Sequence, residues 1–555
     1  MSLSGGNDSA KGVQNTASRF ERPTRLLPVA ILVVALILRV VFSIQYASSP
    51  FHAYLTTDEE FEERWAWSIA SRAPGPYEGI PYYRSPGYAY FGAAAYSLFG
   101  RSVTALRVLQ VLIGVATVWV FLWAGTKWLD RKTGIAAAAI SAIYAPFIVY
   151  TDCIVKETIV IFLTVLLIGL MFDALRTFSR RVWCLCGLVC GLTMIFRGNG
   201  VLFAPVFAIA LLRGLSKPHL RRNAILAAAG FCLCAVAPVL PVTARNFLVA
   251  NGDFVIVRWD GGPNLFFGNS PASSGAGAAG AGVSTDPWTE HLDVLREAEV
   301  ALGRKVKASE ASAYFAGKAL HFIKTEPLRW ARRIPRKLLC YLNAVELPDP
   351  IDITGAARYA SVLRLPLAGY ALVISLGLAG LIANPGRKGE RFAMPLLYVL
   401  NLAVVLMFYV TARYRFPSIP ILILSSGGLL VSIPEMIRFD KFERLALAAG
   451  VAMMVFLIAR MPYVKVPPAL HEELAGRVYI RHEQWAPAAE HFSVVCKARP
   501  NEDEPYLILA RCFYELGREQ DAVAVLRTGL ERCDRRNRIQ TMLDKLNSAQ
   551  GGFMP

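Results

Sequence analysis

The chain is organised by apolar runs, many of them about twenty residues long, enough to cross a bilayer as a single helix. The first extends from Leu26 to Tyr46, and others begin near Val103, Thr133, Thr158, Val182, Gly200, Ala224, Leu363, Phe392, Phe416 and Leu445. Lipid offers no partner to a bare peptide group, so such runs fold as helices. The expected fold class is an all-α polytopic membrane protein with about eleven transmembrane helices. The two short runs flanking Arg197 would change the count, but not the parity, if they form one re-entrant hairpin. Only 18% of the 555 residues are charged and 55% are hydrophobic, whereas a soluble protein carries roughly a quarter charged residues. Cytosolic multidomain enzymes and disordered chains are thereby excluded. The first run is expected to be a span rather than a signal peptide, since a long polar tail with Lys11, Arg19, Arg22 and Arg25 precedes it and no small-residue cleavage site follows.

Basic residues orient the bundle. With the N-terminus inside, the inner loops hold Lys127, Arg131 and Lys132; Arg176, Arg180 and Arg181; and Arg213, Lys217, Arg221 and Arg222. Two more hold Arg387, Lys388 and Arg391, and Arg438, Lys441 and Arg444. Every short inner loop is basic, as the positive-inside rule requires. The formal charge of +18 therefore reflects topology more than nucleic acid, for which no basic run interleaved with aromatics exists. The expected layout is a cytoplasmic tail at 1–25 and a membrane domain at 26–462 with outer loops 47–102 and 245–362. An extracytoplasmic α-helical module follows at 463–549, in a multi-pass protein of the cytoplasmic (inner) membrane.

That last module carries a 34-residue period. Gly476, Tyr479, Ala488, Phe492 and Pro500 are followed by Ala510, Phe513, Ala522 and Leu526, a pattern that resembles tetratricopeptide repeats. Repeats of this kind recognise a protein partner in their groove or serve as a structural cap. Five cysteines (Cys184, Cys186, Cys190, Cys232 and Cys234) lie in apolar runs as small hydrophobes, and no CxxC or HExxH spacing points to a metal.

Chemistry is expected at the outer side. Asp58 and Glu59 begin a polar, aromatic stretch with Trp65 and Trp67, typical of a helix at the membrane interface. Arg84-Ser85-Pro86-Gly87-Tyr88 follows before the next span. Further along come Phe196-Arg197-Gly198-Asn199-Gly200, then Arg245-Asn246 leading to Gly262-Pro263-Asn264-Leu265-Phe266-Phe267-Gly268-Asn269, and Arg413-Tyr414-Arg415-Phe416-Pro417. In this order and placement the motifs resemble the GT-C superfamily of membrane glycosyltransferases, in its protein O-mannosyltransferase and lipid A aminoarabinose transferase branch, over residues 26–460.

The resemblance implies an inverting transfer of sugar from a polyprenyl-phosphate donor to a hydroxyl or amine. Asp58 of the Asp58-Glu59 pair would be the general base. Arg84 stands where relatives have a phosphate-binding Lys or Arg, and Arg197, Arg413 and Arg415 are further phosphate candidates. Glu157, at the start of a span beside Asp152 and Lys156, is a candidate second acidic contact, and Asn269 is a candidate substrate contact. The resemblance leaves a divalent cation, magnesium or manganese, open, and no ligand cluster decides it. Arg39 lies inside the first span, where a lone cation is costly, so it should pair with a carboxylate or face a cavity. Ser273 to Gly282 contains only Ser, Gly and Ala and reads as a flexible loop.

Two rival readings stay open. One is an O-antigen-type ligase or polymerase, also multispanning, which the early motifs disfavour. The other is a non-catalytic scaffold or transporter that assembles an envelope complex through its repeats. Nothing in the sequence distinguishes a protein, a lipid or a glycan as the acceptor.

Overall fold

The computed structural model describes residues 9–250, 252–273, 283, 286–346, 351–384, 386–387, 390–464, 466–533 and 536–547, with side chains from residue 26 onward. Lys388, the loop at 274–282 and the side chains of Lys11, Arg19, Arg22 and Arg25 lie outside the described residues. The described chain is helical, with one isolated bridge between Tyr144 and Ala368 and no strand.

Seven described helices are long and apolar enough to cross a membrane: Leu26–Tyr46, Val103–Trp128, Glu157–Thr177, Gly198–Leu215, Pro218–Val249, Ala412–Arg438 and Phe442–Arg460. The other expected runs fold as the shorter helices Arg131–Ile143, Arg180–Phe196, Tyr370–Ala383 and Ala393–Met407. The chain is a multi-pass membrane protein.

Close approach between helices is built on small residues. Arg180–Phe196 packs against Pro218–Val249. A Cβ at Gly187 would run into the carbonyl of Phe231, and one at Gly191 into that of Ala235. Two glycines four residues apart lie on one face, so the two backbones touch there. Basic loops expected on one side also meet. Arg176 donates to the carbonyls of Lys127 (2.5 Å) and Trp128 (3.1 Å) and pairs with Glu390, while Lys127 reaches Asp173 at 2.9 Å.

Arg39 departs from expectation. Its Nη1 donates to the carbonyls of Ala35 (3.0 Å) and Ala142 (3.4 Å), so helix backbone and not a carboxylate takes up part of the buried guanidinium, while Nε has no hydrogen-bond partner.

The chain divides into two compact units. One comprises residues 1–44, 57–351 and 361–463 and holds all the membrane helices but the last two residues of the first. The other comprises residues 464–555 and two short stretches, 45–56 and 352–360, that the sequence reading assigned to the membrane domain, in the end of its first span and in its outer loops. Within it, Leu470–Arg481, Trp485–Ala498, Asp503–Glu515, Glu519–Arg532 and Asn537–Asn547 pack each on the next. Ala488 and Ala522, and Phe492 and Leu526, the residues one period apart, are all fully buried in its core. Tyr54 stacks on His482 with ring centroids 4.3 Å apart, which ties the first short stretch to these helices.

Candidate active site

The site is assembled from helix starts and one pinned loop. Asp58 lies in the first turn of the helix Thr57–Ser71, Glu157 in that of Glu157–Thr177, and Glu290 in that of Glu290–Leu302. A carboxylate at a helix N-terminus is favoured by the peptide dipoles. Thr57 sits in the left-handed region at φ 46°, which is strained for a β-branched residue and sets the chain direction immediately before Asp58.

The segment carrying Arg84 has no regular structure and is held by residues far along the chain. Arg245 donates to the carbonyls of Ile80 (2.6 Å) and Tyr77 (2.5 Å), and its guanidinium lies 4.0 Å from the Tyr82 ring centroid. Asn246, fully buried, accepts from the Tyr82 amide at 3.0 Å and donates to the carbonyls of Val255 and Val257. The amides of Trp259 and Asp260 donate in turn to Tyr82 and Tyr83 carbonyls. The Arg245-Asn246 motif thus fastens the Arg84 loop to the strap that leads to Asp260.

These elements enclose a cavity of about 680 Å³. Five cations line it (Arg84, Lys156, Arg197, Arg258 and Arg413), with four carboxylates, Asp58, Glu157, Asp260 and Glu290. Val201, Leu202, Val404, Val405 and Phe408 form an apolar part of the wall. Arg84 Nη1 lies 2.6 Å from Asp58 Oδ1 and Nη2 lies 2.6 Å from Glu290 Oε2, while Arg413 Nη2 lies 2.7 Å from Asp58 Oδ2. Tyr83 donates to Glu290 Oε1 at 3.0 Å. Burial would push the Asp58 carboxyl up, but Arg84 and Arg413 outweigh it and hold the group well below the usual carboxylate range. At Glu290 burial prevails and raises the carboxyl despite Arg84.

On the rest of the wall, Arg197 Nη1 lies 3.2 Å from Glu157 Oε1, and its guanidinium lies 4.8 Å from the Tyr414 ring centroid. Arg258 pairs with Asp260 at 2.7 Å. Tyr414 donates to the Tyr409 hydroxyl (3.1 Å), which donates to Asn264 Oδ1 (3.0 Å). Lys156 lines the same wall, and burial pushes its ammonium down.

Of the residues expected from sequence, Asp58, Arg84, Glu157, Arg197 and Arg413 line this one cavity. Three do not. Arg415 is 1% exposed, and its guanidinium donates to the carbonyls of Asn343 (2.8 Å), Cys340 (2.7 Å) and Val345 (3.3 Å). Buried on backbone carbonyls and outside the cavity lining, this group does not face a phosphate in the cavity. Asn269 donates to Leu265 and Met407 carbonyls and accepts from Trp330 Nε1 (2.9 Å) and Lys337 Nζ (3.3 Å), so it knits helices together. Glu59 is buried away from the cavity, where Oε1 accepts from the Ile154 amide at 2.9 Å. Burial there raises its carboxyl to about 7. Sequence reasoning missed Glu290, Arg258 and Asp260; only the last two had a nearby signal, immediately ahead of the Gly262–Asn269 motif.

Each cavity carboxylate already faces an arginine: Asp58 two, and Glu157, Asp260 and Glu290 one each. Among the described residues no group of three His, Cys, Asp or Glu is placed to hold a metal ion. Paired in this way, the cavity carboxylates do not form a divalent-cation cluster among the described residues.

Residues 83–241 match the model of the family described as dolichyl-phosphate-mannose-protein mannosyltransferase. The resemblance to GT-C membrane glycosyltransferases is confirmed over that segment, which takes in both the Arg84–Tyr88 and Phe196–Gly200 motifs. No curated protein matches the chain. Among solved structures, the apo oligosaccharyltransferase of Archaeoglobus fulgidus is 16% identical with TM-score 0.45, over 87% of this chain and 60% of that one. ArnT from Cupriavidus metallidurans bound to undecaprenyl phosphate is 14% identical with TM-score 0.41, over 91% and 77%. The chain spans 55–60% of the length of the archaeal enzyme.

Proposed function

We propose that the chain is an inverting glycosyltransferase that moves a sugar from a polyprenyl-phosphate donor to an acceptor hydroxyl or amine at the outer face of the cytoplasmic membrane. The observation that carries this reading is the grip of Arg84 and Arg413 on Asp58 at the wall of a partly apolar cavity. The family matched by residues 83–241 is described by a dolichyl-phosphate sugar, which supports the lipid-phosphate class of donor.

Asp58 accepts the acceptor proton as the acceptor oxygen or nitrogen attacks the anomeric carbon. The bond from that carbon to the phosphate oxygen breaks, and its electron pair leaves on polyprenyl phosphate. A phosphate leaving group needs no acid to protonate it, so the second carboxylate of a glycosidase has no counterpart here. Arg84 and Arg413 stabilise the charge that grows on the phosphate. A carboxylate gripped by two guanidinium groups is a weak base. Donor phosphate competes for the same arginines, and each bond it draws away returns basicity to Asp58. Base and phosphate site are therefore coupled through shared cations. The helical tail, with its tetratricopeptide-like period, supplies a surface for a protein partner in this reading.

The test is release and transfer of radiolabelled sugar from a polyprenyl-phosphate sugar by purified protein, compared with Asp58→Asn. Transfer is expected to vanish while protein level and unfolding midpoint hold. A fully active Asp58→Asn protein sinks the assignment.

A further inference from the structure

The four carboxylates of the cavity divide into two kinds. Asp58 has both oxygens occupied, by Arg84 and Arg413. Glu290 has both occupied too, by Arg84 and the Tyr83 hydroxyl. Glu157 and Asp260 differ. Glu157 Oε1 takes Arg197 while Oε2 has no hydrogen-bond partner, and Asp260 Oδ2 takes Arg258 while Oδ1 has none. Glu157 is 1% exposed and Asp260 5%, so these are buried acceptors, and leaving such an oxygen unmet is costly.

A buried carboxylate with one oxygen fixed by arginine presents the other to a hydrogen-bond donor. A phosphate or a carboxylate has only acceptors to offer and would be repelled there. A sugar hydroxyl supplies the missing hydrogen, as would the ammonium of an amino sugar. Gly198 and Gly261, next to the two ion pairs in the cavity wall, leave space without side chains. Lys156 lines the same wall and has no ion pair among the described residues, so its ammonium can donate to a hydroxyl oxygen. Hydroxyls both donate and accept, and this wall holds a use for each role.

We propose that Glu157 and Asp260 form the sugar-recognising subsite of the cavity, selecting a neutral or amino sugar through its donor groups and rejecting an acidic one. The inference rests on the glycosyltransferase reading and deepens it: the saturated carboxylates Asp58 and Glu290 mark the phosphate end, and the half-satisfied pair marks the sugar end.

The experiment is equilibrium binding to the full chain in lipid nanodiscs, with three probes: polyprenyl phosphate, polyprenyl-phosphate hexose and polyprenyl-phosphate hexuronate. Wild type is expected to bind the hexose conjugate more tightly than bare lipid phosphate, and the hexuronate more weakly than the hexose. Glu157→Gln and Asp260→Asn keep size and remove charge, and unfolding midpoints check that both fold. Each should weaken hexose-conjugate binding by about ten- to a hundredfold, the range for losing a hydrogen bond to a charged group, with bare lipid phosphate unchanged. Equal loss for both lipids would assign the two residues to the fold or the phosphate, and would overturn the proposal. So would no loss, or a preference for the hexuronate. A wild type that binds bare lipid phosphate and gains nothing from the sugar overturns this inference alone; one that binds no probe overturns the glycosyltransferase reading with it.

Discussion

Arg84 bridges Asp58 and Glu290, with its two terminal nitrogens each 2.6 Å from a different carboxylate. A planar guanidinium can span two acceptors in this way, and a lysine ammonium on a flexible stem cannot hold the same fork. Arg84→Lys should keep the charge and lose the bridge. Donor titrations are expected to show binding of polyprenyl phosphate weakened by about tenfold or more, with Arg84→Gln weaker still. Unchanged donor affinity in Arg84→Lys would show that the fork does not matter.

Arg413 and Arg415 make the sharpest pair of opposite expectations. Arg413 pairs directly with Asp58 in the cavity wall, whereas Arg415 is buried on three carbonyls, its guanidinium 4.5 Å from the Tyr370 ring centroid. Arg413→Gln should abolish transfer with little change in the unfolding midpoint. Arg415→Gln leaves buried carbonyls without donors and should cost about 1–3 kcal/mol of stability. Thermal unfolding and transfer assays on the two proteins side by side check this, and an exchange of the two phenotypes would contradict the geometry.

The same pair explains what was legible in the sequence. Residues two apart on a helix point in nearly opposite directions, yet in the motif Arg413-Tyr414-Arg415 both read as outer cations. Only packing decides which one meets the cavity. Asp58 and Arg84 were legible because each belongs to a compact motif close to the first span. Glu290 was not: it lies 206 residues from Arg84, at a helix start with no recognisable motif around it, and joins the site by tertiary contact alone. The helical class followed from the apolar runs. Arg131–Ile143 is shorter than a straight crossing because its run breaks at Tyr144, just ahead of Pro146, and resumes as the short helix Ala145–Val149. Tyr370–Ala383 is shorter because a 3-10 turn and irregular backbone take up the start of its run.

Glu62, one turn after Asp58, is 5% exposed, and its Oε2 has no hydrogen-bond partner. Burial raises its carboxyl from the usual 4.5 to about 7, against the pull of Lys156. Between those values the folded chain holds a proton that the unfolded chain releases. The contribution to stability is therefore present in acid and is lost as pH rises through 7. Glu62→Gln should flatten this dependence, with a gain on the order of 2 kcal/mol at pH 8 and little difference at pH 5. Unfolding midpoints of both proteins across that range test it, and parallel curves would remove Glu62 as the titrating group.

Arg197 enters the cavity from the end of Arg180–Phe196, a helix whose position depends on Gly187 and Gly191. A methyl group at Gly191 would press on the Ala235 carbonyl and the Pro238 ring, with no flexible side-chain end to yield at the carbonyl. Overpacking of this kind costs about 1–3 kcal/mol. A shift of the helix away from Pro218–Val249 would relieve the strain, and that shift would carry Arg197 with it. Gly191→Ala should therefore lower the unfolding midpoint and also weaken donor binding, although the substitution touches no cavity residue. Gly450, with open space around its Cα, serves as the control: Gly450→Ala should leave both measurements unchanged. If Gly191→Ala loses stability while donor affinity stays intact, the helix yields without moving Arg197, and the coupling between this contact and the cavity fails.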